Sequence, residues 1–370
     1  MEKNTKVVII GAGQTGRGFI APLVKQGENS LTFIDKDSEL VDRLNEEKQY
    51  VVFYCGNAKR PVVMDQYKAY QLESPEAVEA VKEAEVVLTA VGGNNIHELI
   101  PLFEEGLKHR ESSRPLTIVC CENGINVKQS LVEAALDTAV TEGIIFCTTL
   151  AQDPNSLDLL SESYPTIPYD AAVDSVKVDL PGYIPEARFA DLIQRKIYTY
   201  NCLSAFVSYL GTYKGYRNYA DAANDEEISY LMEKALEPLN EAISREYKVP
   251  LQEQAEFSKL AVNKFKNQEI IDTIDRNARD VLRKLGPTER MVRPLRLIKK
   301  YNLNDAYLLV AIAAALSYAQ AEGSYYEGIF DQTMQISDLP ETITSINEIL
   351  HLFETGTSVK KILKLEQVRD

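Results

Sequence analysis

A glycine-rich segment near the start of the chain has the composition and spacing of a dinucleotide-binding loop. The sequence GAGQTG, residues 11–16, directly follows the apolar run KVVII and directly precedes a helical pattern. In this setting Gly11 permits a tight turn, Gly13 lets the backbone approach a pyrophosphate, and Gly16 lets the helix pack close to the strand. The free N–H groups at the start of the helix favour an anion. We therefore predict a dinucleotide site here.

The next apolar run, SLTFID, ends in Asp35, 24 residues after Gly11. A carboxylate near this position binds the ribose hydroxyls and repels a 2′-phosphate, so we predict NAD rather than NADP, although Lys36 could tolerate that phosphate. The small residues Ala90-Val91-Gly92-Gly93 end another apolar run and suit the crevice where the dinucleotide crosses the sheet; a simple turn is the alternative. The predicted cofactor-binding residues are Gly11, Gly13, Gln14, Thr15, Gly16, Arg17, Asp35, Val91 and Gly92.

The elements that must position these residues alternate between short apolar runs and helical patterns through the first half of the chain. The runs KVVIIG, SLTFID, AEVVLTAVGG, PLTIVCCENG and GIIFCTTLA predict the strands of a parallel sheet. From about residue 187 the apolar period changes to 3.6, which predicts helices. We therefore predict an α/β fold, with an N-terminal Rossmann-type doubly wound parallel sheet and a Pro-rich connector, with room for a strand or two, in residues 1–186. A mostly α-helical domain follows in residues 187–370.

Composition excludes several classes of function. With 40 Lys plus Arg against 55 Asp plus Glu, the formal net charge is −15, which disfavours nucleic-acid and anionic-membrane partners. The five cysteines are an odd number and lie mostly in apolar runs, so we expect free thiols in a reducing compartment. The three histidines are scattered and no zinc-like spacing occurs, so we predict no metal. No apolar run has the length of a signal or membrane segment, and we predict a cytoplasmic protein.

Further motifs follow the glycine loop in a fixed order. The chain reads GAGQTGRGFI, TAVGG, VCCENG, RKIYTYN with a following YLG, and RKLGPTERMVRPL. In this order and at these distances, the motifs resemble the polyol-specific long-chain dehydrogenase/reductase family, from about residue 6 to about residue 315. The resemblance implies metal-independent, NAD-linked oxidation of a sugar alcohol to a ketose, or the reverse. It also implies an N-terminal Rossmann domain and a C-terminal helical domain, and it permits a monomer or a small homo-oligomer.

The resemblance also implies catalytic residues. The family's general base, the lysine of a K-x4-N-x2-H motif, corresponds to Lys196, and its two alkoxide-binding asparagines correspond to Asn123 and Asn201. A lysine can take a hydroxyl proton if burial or a neighbouring cation lowers its pKa toward neutrality. Neutral amide donors suit an oxygen whose negative charge is partial and transient. A solvated lysine and a turn asparagine are the alternatives.

Two departures from the family pattern concern the substrate. The motif histidine is replaced by Ser204, which cannot become a cation near neutral pH, and residues 147–152 (CTTLAQ) stand where the family carries an Asp-Arg pair. A basic cluster suits a phosphate ester, because guanidinium groups bind phosphate bidentately. Arg290 and Arg293, in a loop-like stretch before Pro294, are expected nearest the substrate. A solvated face paired with nearby aspartates is the alternative. The predicted substrate-binding residues are Ser204, Arg283, Lys284, Arg290 and Arg293.

Three hypotheses follow. The first is an NAD-dependent oxidoreductase that interconverts a sugar alcohol phosphate and a ketose phosphate, mannitol 1-phosphate and fructose 6-phosphate, with Lys196 as base. The second keeps the reaction and exchanges the substrate for an unphosphorylated polyol or a sugar acid. The third is an NAD(H)-binding protein that has lost catalysis, motivated by Ser204 and the missing Asp-Arg pair.

Overall fold

The computed structural model describes residues 4–57, 59–108, 110, 116–173, 176 and 178–367. Contacts divide the chain into two compact units, Met1–Ile193 and Gln194–Asp370.

The first unit is built on a sheet of parallel strands. They are β1 (Lys6–Ile10), β2 (Ser30–Asp35), β5 (Tyr67–Gln71), β6 (Val86–Thr89), β7 (Thr117–Cys120) and β8 (Ala139–Glu142). Their order in the sheet is β5-β2-β1-β6-β7-β8, and each neighbouring pair is parallel. The order reverses between β1 and β6, which is where an open parallel sheet forms a ligand crevice at the carboxyl ends of its strands. The predicted doubly wound fold is confirmed.

Both faces of this sheet are covered. Val7 and Ile9 of β1 belong to one apolar core, while Val8 and Ile10 belong to another on the opposite face. Since successive side chains of a strand point to opposite faces, a strand buried on both sides must be apolar throughout. This requirement explains the uninterrupted runs in the sequence.

The helices of this unit are α1 (Ala21–Lys25), α2 (Ser38–Glu47), α3 (Pro75–Glu83), α4 (Ile100–Lys108), α5 (Gln129–Glu133) and the beginning of α6 (Phe189–Lys196). The side chains of Asp37 and Ser74 cap α2 and α3 by accepting from Leu40 N and Ala77 N. A π-helical turn at Gly16–Ile20 precedes α1, and 3₁₀ turns lie at Cys55–Asn57 and Gly93–Leu99.

The predicted sheet was wrong at its last strand, and its strand β5 was not predicted. The last strand is Ala139–Glu142 rather than GIIFCTTLA, of which only Thr149–Ala151 forms a strand, and this strand joins another sheet. The β-branched residues Val140 and Thr141 supply the strand instead. In addition, Pro115, the first residue of the predicted PLTIVCCENG strand, lies outside the described residues.

Further short strands lie outside this parallel sheet, where the prediction allowed only for a strand or two in the Pro-rich connector. They are β3 (Gln49–Tyr54), β4 (Val62–Asp65), β9 (Thr149–Ala151), β10 (Leu159–Ser161), β11 (Ile167–Asp170) and β12 (Tyr183–Glu186). The first four form a sheet of order β4-β3-β10-β9, in which Val52 is opposite Leu159, and the last two form a parallel pair.

The second unit is helical over its described residues, as predicted. Its helices after α6 are α7 (Cys202–Tyr213), α8 (Tyr219–Asn224), α9 (Glu226–Tyr247), α10 (Leu251–Phe265), α11 (Ile274–Ala278), α12 (Val281–Lys284), α13 (Val292–Lys300), α14 (Ala306–Ala321), α15 (Ile329–Gln332), α16 (Pro340–Glu354) and α17 (Val359–Gln367). Helix α14 is buried along most of its length and packs against α7 and α16. No helix within the described part of the chain is long and apolar enough to cross a membrane.

Candidate active site

The glycine loop of the first unit adopts the geometry expected for a pyrophosphate. Gly11 has a φ of 98°, and a Cβ there would collide with the carbonyl of Ala90. A Cβ on Gly16 would collide with the carbonyl of Gly11, so the helix can approach the loop only because this residue lacks a side chain. A Cβ on Gly13 would meet no protein atom within 4 Å. The backbone at Gly13 is therefore open to a ligand from outside the protein.

Three further predicted residues follow in this loop. Gln14 is exposed and Thr15 is half-buried at the start of the helical segment. Arg17 is buried, and its guanidinium donates to the carbonyls of Ala12 (2.6 Å) and Leu157 (2.5 Å). Burial lowers the pKa of Arg17, and the side chain lies over the ring of Tyr50. These contacts indicate that Arg17 stabilises the loop from inside, whereas the sequence predicted that it contacts the dinucleotide.

A cavity with about 540 Å³ of empty space opens beside this loop at the carboxyl ends of β1, β2 and β6. It is lined by Gly11, Gly13, Asp35, Lys36, Val91, Asn95 and Glu98, together with Ile10, Leu72, Ala90 and Leu99. Asp35 accepts from Ala12 N at 2.6 Å and from Asp37 N at 3.0 Å, one bond to each carboxylate oxygen. Each oxygen keeps a further lone pair for a ribose hydroxyl. The apolar walls and the carboxylate fit the adenosine half of a dinucleotide.

The surroundings of Lys36 bear on the choice between NAD and NADP. Its ammonium pairs with Glu98 at 3.4 Å, and Glu98 also lines the cavity. Two carboxylates therefore accompany one lysine in this part of the lining. This balance of charge opposes a 2′-phosphate and fits NAD.

The turn after β6 and the segment after β7 are joined by a residue that the sequence analysis missed. The backbone N–H groups of Val91 and Gly92 both donate to the buried carboxylate of Glu122, at 2.8 Å each. The neighbouring Asn123 is exposed at the same edge of the sheet. The motif VCCENG places the glutamate beside the predicted asparagine, but nothing in one sequence shows that it is buried and hydrogen-bonded to the preceding strand.

In the second unit, a π-helical turn at Ile197–Asn201 separates Lys196 from α7. Five residues of an ordinary α-helix, at about 100° each, would turn Asn201 about 140° away from Lys196. A π-helical turn contains one residue more, which brings positions five apart onto one face. The observed turn thus aligns Lys196 with Asn201, and Ser204 follows three residues later on that face.

Burial and neighbouring charge make Lys196 suitable as a base. Lys196 is only 7% exposed. This burial lowers the pKa of Lys196 to about 7, with further contributions from the cations Lys264 and Arg290. A lysine with this pKa is substantially neutral at physiological pH and can accept a proton.

A buried glutamine supports the π-helical turn from the opposite side. Gln254 of α10 accepts from Arg195 Nε at 3.0 Å and donates to Thr199 Oγ1 at 2.9 Å. It therefore connects the residue before Lys196 with a residue inside the turn. Arg195 also pairs with Glu253, so its guanidinium points toward α10.

Ser204, at the position of the family's histidine, has a phenolic partner. The hydroxyl of the buried Tyr219 donates to Ser204 Oγ at 2.9 Å. Burial raises the pKa of Tyr219, so the phenol remains neutral and keeps its proton. The pair offers a neutral polar group in place of an imidazole.

The predicted basic residues separate into two groups. Arg283 contacts Asp280 and Glu289, and Arg290 contacts Glu289 at 3.2 Å. Burial, then Arg290 and Arg283, lower the pKa of Lys284 to about 8, so these three cations lie close together.

Arg293 contacts the π-helical turn, where its side chain hydrogen-bonds with Tyr198. It lies in the first turn of α13 and pairs with Glu246 at 3.6 Å. The expected loop-like stretch between helices covers residues 285–291 and contains Arg290, but Arg293 itself is helical. Proline is tolerated in a first helical turn, where its missing N–H would have no partner. For Arg283 the structure also fits the alternative interpretation, a solvated face paired with an aspartate. Its side chain is half-exposed and lies beside Asp280.

The two units thus contain complementary chemistry. The first has a loop and cavity for a dinucleotide, and the second has a buried lysine, an asparagine and a cationic cluster. Among the described residues, no group of three or more His, Cys, Asp or Glu side chains is placed to hold a metal ion.

Comparisons with known proteins agree with this combination. Residues 5–157 match the mannitol dehydrogenase Rossmann domain, and residues 190–368 match the mannitol dehydrogenase C-terminal domain. The mannitol-1-phosphate 5-dehydrogenase of Exiguobacterium sibiricum is 30% identical over 353 residues, covering 92% of each chain. That of Clostridium acetobutylicum is 28% identical over 368 residues, covering 93% of this chain and 94% of the relative.

Solved structures show the same fold. The mannitol 2-dehydrogenase of Pseudomonas fluorescens, in a ternary complex with NAD and D-mannitol, superposes with a TM-score of 0.79 at 14% identity. It covers 100% of this chain and 95% of that one. A substrate-free D-sorbitol dehydrogenase superposes with a TM-score of 0.76 at 15% identity, covering 98% and 95%. Both domain matches together span most of the sequence, and the chain belongs to the mannitol dehydrogenase family.

Proposed function

We propose that the protein is an NAD-dependent mannitol-1-phosphate 5-dehydrogenase, which interconverts mannitol 1-phosphate and fructose 6-phosphate. The observation that carries the proposal is the buried Lys196, with a pKa of about 7, on one helix face with Asn201. Family membership and the relatives of that name support the same reaction.

The mechanism assigns one task to each residue. NAD, held by the glycine loop and Asp35, supplies a hydride acceptor at its nicotinamide ring. Neutral Lys196 takes the proton of the substrate hydroxyl as hydride leaves the carbon. Asn123 and Asn201 donate hydrogen bonds to the oxygen as its negative charge develops. In the reverse direction, protonated Lys196 returns the proton to the carbonyl oxygen.

The phosphate of the substrate is assigned to the cluster of Arg283, Lys284 and Arg290. In a chain of net charge −15, the cluster keeps an excess of positive charge, because its three cations stand against two paired carboxylates, Asp280 and Glu289. Guanidinium and ammonium groups of this kind suit a dianionic phosphate ester. Ser204, held by Tyr219, is assigned to a substrate hydroxyl, and Arg293 to a peripheral contact.

Wider properties follow the same proposal. The acidic net charge supports a protein without a nucleic-acid partner. We assign it to the cytoplasm, as a monomer or a small homo-oligomer, with residues 1–186 binding the cofactor and residues 187–370 binding the substrate.

The test is oxidation of NADH by the purified protein with fructose 6-phosphate, fructose or a set of keto acids. We expect rapid turnover with the phosphate ester, with kcat/KM on the order of 10²-fold above that for fructose, since charged hydrogen bonds to the phosphate are lost with fructose. Turnover only on fructose or an acid would move the substrate to the unphosphorylated class. NADH binding without any turnover would identify an NAD(H)-binding protein that has lost catalysis.

A further inference from the structure

Glu122 is a buried carboxylate at the carboxyl edge of the parallel sheet, two residues after β7. Its residue is 6% exposed. One carboxylate oxygen, Oε1, accepts from Thr89 Oγ1 at 3.1 Å and from Val91 N at 2.8 Å. The other, Oε2, accepts from Gly92 N at 2.8 Å. The side chain therefore ties the end of β6 to the segment that carries Asn123.

The partners of Glu122 fit its ionised form. Two are backbone N–H groups, which can only donate, and each carboxylate oxygen takes one of them. A protonated carboxyl group would lose acceptor capacity on one oxygen. Burial raises the pKa of Glu122, and the bonds from Val91, Gly92 and Thr89 offset part of this rise.

A second buried glutamate on the same sheet shows how Glu122 differs. Glu142, at the end of β8, lies 3.9 Å from the ammonium of Lys128, which also pairs with Asp170. Among the described residues, Glu122 has no such ion pair. Its charge is compensated by hydrogen-bond dipoles alone and can act on another charge brought to this edge.

The topology of the sheet determines which half of a dinucleotide reaches Glu122. Asp35 follows β2, on one side of the switch point, and lines the cavity that fits the adenosine half. The pyrophosphate lies at the glycine loop after β1, so the nicotinamide half extends over β6 and β7. The nicotinamide ring carries a positive charge only in its oxidised form.

We propose that Glu122 is a positioning residue of the dinucleotide site, which fixes the Val91–Gly92 turn and Asn123 and whose negative charge makes the site favour oxidised over reduced NAD. The inference rests on the proposed NAD site and adds a residue and a redox preference to it. It does not depend on which polyol is the substrate.

The decisive variant is Glu122→Gln, which has nearly the same shape. The amide oxygen can replace one carboxylate oxygen, but the amide nitrogen is a donor and would face a backbone N–H. The variant thus removes the charge and one acceptor. Glu142→Gln is the matched control, because it removes a second buried carboxylate of the same sheet edge and leaves Glu122 in place.

The measurement is the dissociation constant of NAD⁺ and of NADH for each purified protein, together with the thermal midpoint. For Glu122→Gln we expect the ratio of the NAD⁺ constant to the NADH constant to rise on the order of 3- to 10-fold. For Glu142→Gln we expect the wild-type ratio despite a lower thermal midpoint. A wild-type ratio in Glu122→Gln, or an equal change in both variants, would overturn the proposal.

Glu122→Asp separates charge from position and decides the matter if Glu122→Gln does not fold. The shorter side chain keeps the charge but withdraws it from the turn, so we expect a reduced kcat with a ratio close to wild type. A wild-type kcat or a ratio changed as in Glu122→Gln would contradict this. Wild-type protein that binds both nucleotides without turnover would refute the proposed function alone, whereas binding of neither nucleotide would refute both proposals.

Discussion

The glycine loop of the first unit and the lysine site of the second obtain their chemistry in different ways. The loop depends on backbone shape, because Gly11 and Gly16 leave room that a single Cβ would fill. The lysine site depends on burial and on charges contributed by separate segments, since burial, then Lys264 and Arg290, lower the pKa of Lys196. A shape requirement is local in sequence, whereas an electrostatic environment is assembled only by folding. The two sites should therefore respond differently to substitution.

The largest effect is expected at the lysine site. Lys196→Ala removes the proposed base, and kcat should fall on the order of 10²- to 10⁴-fold, the usual contribution of a positioned proton acceptor. The dissociation constant of NADH should remain near the wild-type value, because the loop and cavity lie in the other unit. Steady-state kinetics and fluorescence titration of NADH measure the two quantities. Intact turnover in the variant would rule out Lys196 as the base.

The cationic cluster should show the next largest effect. Arg290→Gln removes a half-buried guanidinium beside Lys284, and KM for fructose 6-phosphate should rise roughly 10- to 100-fold, as expected for a lost charged hydrogen bond. Arg296→Gln is the matched control: this arginine of α13 pairs with Asp338, and its loss should change KM by less than about threefold. Equal effects in both variants would show that the change in KM is not specific to the cluster.

The shape requirement of the loop can be divided into its two parts. Gly13→Ala meets no protein atom, so its thermal midpoint should stay at the wild-type value while NADH affinity falls by roughly 10-fold or more, because the new methyl group occupies space left for the ligand. Gly16→Ala should lower the free energy of unfolding by about 1–3 kcal/mol, because its methyl group meets the Gly11 carbonyl. If both variants lost stability equally, the loop would lack the open side described here.

The smallest effect is a change in pH dependence. Because the pKa of Lys196 is lowered to about 7, the rate of alcohol oxidation should rise with pH through about 7 and then level off, whereas ketone reduction should fall through the same range. Removing a neighbouring cation in Lys264→Gln raises the pKa of Lys196, so the oxidation limb should move to higher pH by less than about one unit. Profiles of kcat/KM for both directions test the sign. A shift to lower pH would contradict the electrostatic account.

The same contrast explains what one sequence could predict. The α/β fold, the helical second half and the family resemblance are confirmed, because apolar periodicity and glycine spacing are local patterns. The pairing of β3 with β10 escaped prediction, since it joins residues about a hundred positions apart in the chain. The inward direction of Arg17 and the partners of Glu122 also depend on distant residues, such as Leu157 and Thr89.

For the catalytic residues, the sequence supplied the residue types and the structure supplied their environment. Lys196 and Asn201 stay predictions as catalytic groups, but their five-residue spacing acquires a physical meaning in the π-helical turn. Tyr219, the partner of Ser204, had no signal, because a tyrosine 15 residues away in an amphipathic region is indistinguishable from a core residue.

The π-helical turn at Ile197–Asn201 amounts to one additional amino acid accommodated inside a helix. Every later residue of α7 is therefore out of phase, by about 100°, with an uninterrupted helix. If the same residues formed an uninterrupted α-helix, Lys196, Asn201 and Ser204 would all be present, but the last two would be rotated away from the first. The lysine site therefore depends on the number of residues between Lys196 and Asn201 as well as on their side chains. A sequence alignment that places a gap elsewhere in this helix would equate residues from different faces.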